Sequence, residues 1–303
     1  MDRGIDVITG AFSYTGKHVA QRLLAAGRQV RTLTGHPGRP DPFASQVSTF
    51  PYDFEQPDRL LKHLQGADTL YCTYWVRYPY GSLTYEKAVH NSRTLFQTAK
   101  KAGIGRIVHV SIANPSKDSP LTYYSGKAQV EQALIETGLP YAILRPTVIF
   151  GKEDILINNI AWMVRHFPFF AVPGNGKYRL QPIYVEDFAD ALVQAGQGKS
   201  NSIQDAIGPE TFTFNELVLL IAGEIDRTIH LLHLSPSLTY GVTALLGRFL
   251  GDVVLTQEEI RGLMDDLLVS QHVPLGKTRL SQWIRDNKRT LGKTYVSEIK
   301  RHF

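Results

Sequence analysis

Through the first half of the chain, short β-branched apolar runs alternate with stretches of helical period. Ile5, Val7 and Ile8 lead directly into Gly10, whereas Val19, Leu23 and Ala26 recur at the spacing of a helix that closes at Gly27. Val30–Thr34 reads as a second strand, followed by a Gly/Pro-rich loop from Gly35 to Pro42. Val47–Phe54 predicts a third strand, Pro57–Gly66 a short helix with proline in its first turn, and Thr69–Tyr74 a fourth strand. Ser82 is the expected cap of a long helix ending at Gly103; Ile107–Ser111, Tyr124–Thr137 and Tyr141–Arg145 continue as strand, helix and strand. This alternation predicts a doubly wound parallel sheet with helices on both faces. After Pro146 the rhythm changes: Pro182–Val185 predicts one more strand, Asp187–Gly196 a helix, and the chain beyond about Phe214 is expected to be mainly helical. The expected organisation is an α/β domain over residues 1–146, with a return segment near 180–196, and a smaller helical lobe over 147–303 packed over the sheet edge.

The strand-turn-helix at Ile5–Ala20 carries the first candidate chemistry. Gly10 and Gly16 are six residues apart, and a tight turn opening a helix N-terminus suits a pyrophosphate, although glycines packing a helix on a strand would leave the same trace. The central glycine of the full pattern is replaced by Ser13, which is expected to present its N–H and add a hydroxyl. In open parallel sheets ligands lie at the carboxyl ends of the strands, where Gly10, Thr34, Asp53, Cys72, Thr73, Tyr74 and Ser111 are expected.

Composition narrows the field. The 303 residues are 43% hydrophobic, enough for a full core, and the net charge of +5 is spread along the chain, so nucleic acid is not indicated. Cys72 is the only cysteine, so no disulfide framework or cysteine metal site is expected. No metal is expected from histidine either, because His230 and His233 flank Leu231-Leu232 without an evident third ligand. With no signal-peptide pattern and no convincing membrane span, the expected location is the cytoplasm, with membrane-surface association as the alternative.

Taken in order, Thr9-Gly10-Ala11 with Gly16, Asp53, Asn91, Ser111, Tyr123-x-x-x-Lys127, Leu144-Arg145-Pro146 and Gln181-Pro182-Ile183-Tyr184-Val185-Glu186-Asp187 resemble the extended or atypical short-chain dehydrogenases/reductases. The stretches SIANPSKDSPLTYYSGKAQVE and LRPTVIFGKEDILINNIAW are similar to the branch containing the nucleotide-binding accessory subunit of respiratory complex I and its bacterial relatives. The resemblance implies a Rossmann domain holding NADP or NAD. It implies cofactor contacts from Gly10, Phe12, Ser13, Tyr14, Thr15, Gly16, Thr34, His36, Arg39, Asp53, Phe54, Cys72, Thr73, Tyr74, Lys127, Pro146 and Val148, with Asp53-Phe54 at the adenine. It also implies that Tyr123 transfers the proton accompanying hydride transfer, that Lys127 supports it, and that Ser111, or else Ser116, polarises the substrate, because Ile112 or Ala113 stands at the usual hydroxyl position. Asp187 is expected to cap a helix and Arg145 to anchor the junction with the lobe.

No carboxylate stands at the end of the second strand, where Thr34, Gly35 and His36 occur; His36, Arg39 and, if it faces that edge, Arg31 could meet a 2′-phosphate, so NADP is the expected preference over NAD. A small, hydrophobic carbonyl, alcohol or quinone-like substrate is the leading expectation, with Tyr71, Tyr74, Trp75, Tyr78 and Tyr80 as candidate lining or core. A non-catalytic cofactor-binding or assembly protein, and an epimerase or dehydratase, remain the alternatives. Ser237–Leu255 carries more apolar surface than a solvated helix needs. Burial against the nucleotide domain is the default, and an exposed face for a protein partner or membrane surface the sharper reading.

Overall fold

The computed structural model describes residues 4–302. In chain order, β1 (Ile5–Thr9), α1 (Tyr14–Ala25), β2 (Gln29–Thr34), β3 (Val47–Pro51), α2 (Pro57–Leu64), β4 (Thr69–Cys72), α3 (Tyr85–Lys101), β5 (Arg106–Val110), α4 (Thr122–Glu136) and β6 (Tyr141–Pro146) alternate. Then come β7 (Ile149–Phe150), α5 (Leu156–His166), β8 (Phe169–Pro173), β9 (Arg179–Leu180), β10 (Ile183–Tyr184), α6 (Val185–Gln197) and β11 (Ser202–Ala206). The rest comprises β12 (Phe212–Thr213), α7 (Phe214–Glu224), β13 (His230–Leu234), α8 (Pro236–Leu250), α9 (Gln257–Met264), α10 (Leu280–Asn287) and α11 (Glu298–His302). Two compact units result: one takes the chain through Pro146 together with Val185–Asp205, the other Thr147–Tyr184 and the chain from Ala206 onward.

In the first unit the sheet order is β3-β2-β1-β4-β5-β6-β11, and β1 to β6 are joined by parallel pairings. The reversal between β1 and β4 is the switch point at which doubly wound sheets bind ligands. Leu60, Leu64, Leu70, Phe96, Ile107 and Leu134 fill the core of this unit. At the end of β4, the Thr73 N–H donates to Thr9 Oγ1 at 2.7 Å and its hydroxyl to the Thr9 carbonyl, tying the two switch-point strands together.

Several expected boundaries move. Thr84, not Ser82, caps α3, its hydroxyl accepting from the Lys87 N–H at 3.1 Å. β3 stops at Pro51, and Asp53 adopts a left-handed φ of 46° that ends the extended run. α4 starts at Thr122, which brings Tyr123 into its first turn. α6 starts at Val185, so Asp187 lies inside the first turn and is not the cap; with Glu186 it faces the positive end of the helix dipole. Arg145 directs its fork onto Glu131 of α4, at 2.9 and 2.5 Å. α6 joins α1 through Arg22, which pairs with Asp190 and donates to the Glu186 carbonyl at 2.9 Å.

The second unit surrounds its own core, including Phe150, Ile160, Phe170, Leu217, Ile221 and Trp283. Among the described residues three two-stranded pairings occur; β10 falls in the expected strand Pro182–Val185, and the other strands lie where helical or irregular chain was expected, among them β13 parallel to β8. His230–Leu234 is a short apolar run whose period does not distinguish helix from strand, so the partner strand decides. Capping boxes at Thr213/Glu216 and Thr256/Glu259 start α7 and α9. Within Ser237–Leu255, α8 buries Thr239, Thr243 and Gly247 and leaves Leu238, Val242, Leu245 and Phe249 exposed. Among the described residues no helix is long and apolar enough to cross a membrane.

Candidate functional site

The turn between β1 and α1 is built on its glycines. Gly10 has φ 72°, a region that disfavours any side chain. A Cβ on Gly16 would lie 2.1 Å from the Gly10 carbonyl oxygen, so only glycine lets α1 approach the strand end. Ser13 departs from its expected part: its N–H and hydroxyl both donate to the Gly10 carbonyl, at 2.9 and 2.6 Å, and thereby fix the turn. An anion would meet the first turn of α1, whose N–H groups lack intrahelical acceptors and which contains no carboxylate and no side-chain cap. The turn thus fits a dinucleotide pyrophosphate. Phe12 and Tyr14 flank it, tilted on Phe43 and edge-on to His18, and Thr15 lies in the same helical turn.

Beyond the turn, Thr34 ends β2 and its hydroxyl accepts from the His36 N–H at 3.0 Å, with His36 and Arg39 on the loop that follows. Arg31 does not face this edge. Its guanidinium donates to the His63 and Gln65 carbonyls at 3.1 and 2.8 Å, closing the C-terminus of α2. The Asp53 carboxylate is 3.2 Å from His63 Nε2. Phe54 stacks on Tyr52 at 4.8 Å, and Tyr74 stands 5.1 Å from both rings while its hydroxyl accepts from Asn91. Tyr52, absent from the expected set, is thus the centre of an aromatic floor; its only sequence signal is its place beside Asp53-Phe54.

Tyr123 and Lys127 lie one turn apart on α4. Lys127 is buried and donates to the Val110 carbonyl at 2.9 Å, beside Ser111, whose buried hydroxyl has no hydrogen-bond partner among the described residues. The Lys127 ammonium lies 4.8 Å from the centre of the Trp75 ring, which stands edge-on to Tyr123 at 5.8 Å. Gly126 makes this possible, because a Cβ there would come within 2.9 Å of the indole. Burial lowers the Lys127 pKa to about 7, outweighing its attraction to Cys72 and Glu131. Burial raises the Cys72 thiol to about 11 and, with the Lys127 charge, holds His109 well below its ordinary value. His109 lies inside β5, and nothing in the sequence pattern separates it from a core position. Tyr71 is core: a Cβ on Gly196 of α6 would meet its hydroxyl at 2.0 Å. Pro146 ends β6 and accepts from the Ala113 N–H at 2.8 Å, whereas Val148 belongs to the second unit, where its carbonyl accepts from Ile183.

A family profile described as NAD(P)H-binding matches residues 10–158. With the strand order above, this makes the first unit an NAD(P)-binding domain of the Rossmann type. The chain is also homologous to a mitochondrial subunit, NADH dehydrogenase (ubiquinone) 1 alpha subcomplex subunit 9 of Arabidopsis thaliana. The two are 27% identical over 224 residues, covering 70% of this chain and 56% of the plant protein. The chain therefore spans little more than half the length of that relative. Among solved structures, triphenylmethane reductase of Citrobacter sp., complexed with NADP(H), has a TM-score of 0.77 at 18% identity over 93% of this chain and 99% of its own. An NADPH-dependent quinone oxidoreductase from Escherichia coli, complexed with NADPH, has a TM-score of 0.76 at 18% identity over the same 93% and 99%. These two share its fold.

Proposed function

We propose that the protein is an NAD(P)-dependent oxidoreductase of the short-chain dehydrogenase/reductase type, preferring NADPH, that acts on a small hydrophobic carbonyl or quinone-like substrate. The observation that carries this reading is the group at the end of β5: Tyr123 and Lys127 on one face of α4, with Lys127 held against the Val110 carbonyl next to the unpartnered Ser111 hydroxyl. A bound nicotinamide cofactor would supply or accept the hydride. Gly10, Gly16 and the first turn of α1 would hold its pyrophosphate. Tyr123 would give or take a proton at its phenolic oxygen, Lys127 would hold the ribose and favour the phenolate when charged, and Ser111 would orient the substrate oxygen. The absence of a carboxylate at Thr34, with His36 and Arg39 following, supports a 2′-phosphate. The aromatic surface of Trp75, Tyr85 and Tyr123 supports a flat apolar substrate.

The test is turnover of NADPH with a panel of quinones and aromatic carbonyls. Tyr123→Phe is expected to lower kcat by about 10²- to 10⁴-fold while leaving the NADPH Kd nearly unchanged, and NADPH is expected to bind more tightly than NADH, with Arg39→Ala narrowing the difference. Cofactor binding without turnover of any panel member would overturn the enzymatic reading. It would favour the second reading, a non-catalytic NAD(P)H-binding member of a protein assembly, which the homology to an NADH dehydrogenase subunit supports.

A further inference from the structure

The apolar face of α8 is turned the wrong way for a helix of a soluble core. Leu238, Val242, Leu245 and Phe249 follow one another at spacings of four, three and four, so they form one stripe. Their exposures are 55%, 43%, 60% and 81%. The side turned inward is small and polar. Thr239 and Thr243 donate to carbonyls one turn back, at 3.1 and 3.0 Å, and a Cβ on Gly247 would lie 2.5 Å from the Asp252 carbonyl oxygen. Rotation about the helix axis to hide the stripe would force bulk into that contact.

Within α8 itself the charge has one sign. From Arg227 to Gln257 the sole carboxylate is Asp252, which is buried and accepts from the Tyr295 hydroxyl and the backbone N–H groups of Glu298 and Ile299. Arg248, the one charged residue of α8, is exposed beside Phe249, while the neighbouring helix α9 opens with Glu258 and Glu259. The stripe is one helix wide, whereas a stable protein interface buries roughly 800 Å² per partner. Its four side chains also carry no hydrogen-bonding group, whereas a protein interface needs about one such bond per 100–200 Å². A bilayer surface needs neither, and anionic headgroups complement Arg248.

We propose that α8 is a membrane-surface element that lays Leu238, Val242, Leu245 and Phe249 into the headgroup–acyl boundary of a bilayer containing anionic phospholipid. This docking is independent of the oxidoreductase reading, because no residue of the dinucleotide site takes part.

Flotation of the full chain with phosphatidylcholine vesicles, with and without phosphatidylglycerol, tests it. Binding is expected to the mixed vesicles, to weaken with salt, and to fall by more than about tenfold in the Leu245→Asp/Phe249→Asp variant, each of whose new charges would have to enter the apolar boundary. Because both positions are exposed, the variant should unfold at the wild-type midpoint. Phe249→Trp keeps the face apolar, and its emission is expected to shift to the blue when mixed vesicles are added. No wild-type binding to either vesicle, undiminished binding by the double-aspartate variant, or no spectral shift would each overturn the proposal. So would a wild-type dimer in sedimentation velocity that the same variant dissociates, which would assign the stripe to a second copy of the chain.

Discussion

Lys127 shows how a single side chain can carry a cost that pH makes visible. It is buried, its pKa lies near 7, and an unfolded lysine titrates near 10.4. Between those values the unfolded chain binds one more proton at this site, so stability rises with pH and is lost as pH falls towards 7. The slope from one such group is at most about 1.4 kcal/mol per pH unit. Cys72 acts in the opposite sense, because its thiol is raised to about 11 and keeps a proton that the unfolded chain releases above about 8.5. The window from about pH 7.5 to 8.5, above the range where His109 adds a cost of the same sign, therefore isolates Lys127. Urea midpoints are expected to climb across it in the wild type, and Lys127→Met should raise the midpoint at pH 7 and flatten the climb. An unchanged slope in the variant would exclude Lys127 as its source. The Tyr123–Lys127 pair was legible in the sequence because its spacing is local. The Trp75 face against Lys127 was not, because fifty-odd positions of chain and the absent side chain of Gly126 bring it there.

At the scale of elements, the β1-α1 turn depends on two backbone surfaces meeting without side chains. A Cβ on Gly16 collides with a carbonyl oxygen, which cannot rotate away as a side chain could. Gly16→Ala is expected to destabilise by about 1–3 kcal/mol and to weaken NADPH binding by displacing the first turn of α1, since the clash is with the turn itself and not with the pyrophosphate space. Gly38→Ala, in open space and without a left-handed φ, should change stability by less than about 0.5 kcal/mol. Comparing the two by chemical denaturation and NADPH titration separates tight packing from glycine loss as such, and equal effects would refute the packing argument. Most elements were readable from period, and their ends were not. Ser82 and Thr84 are both good caps, and only the conformation of the chain entering α3 selects Thr84. Arg145 similarly offers its fork to any acceptor in reach, and it is the register of α4 against β6 that presents Glu131.

For the whole molecule, alternation along the first 146 residues foretold a doubly wound sheet and Pro182–Val185 foretold β10, whereas the other short strands of the second unit were hidden because their partners are distant in sequence. The direction of α8 was hidden for a related reason: its apolar composition was plain, but which side faces inward is set by Gly247 meeting Asp252 and by the polar contacts of the chain near Tyr295. The return of Val185–Asp205 to the first unit has a consequence for how the chain is made. β11 lies beside β6 at one edge of the sheet, and α6 is fastened to α1 by Arg22. A ribosome that has delivered β1 to β6 has therefore released a sheet whose β6 lacks its partner strand β11 and whose α1 lacks α6 beside it. Those surfaces must wait while the intervening residues of the other unit emerge, an interval in which a holding chaperone, rather than the finished fold, would keep them from pairing with a neighbouring chain.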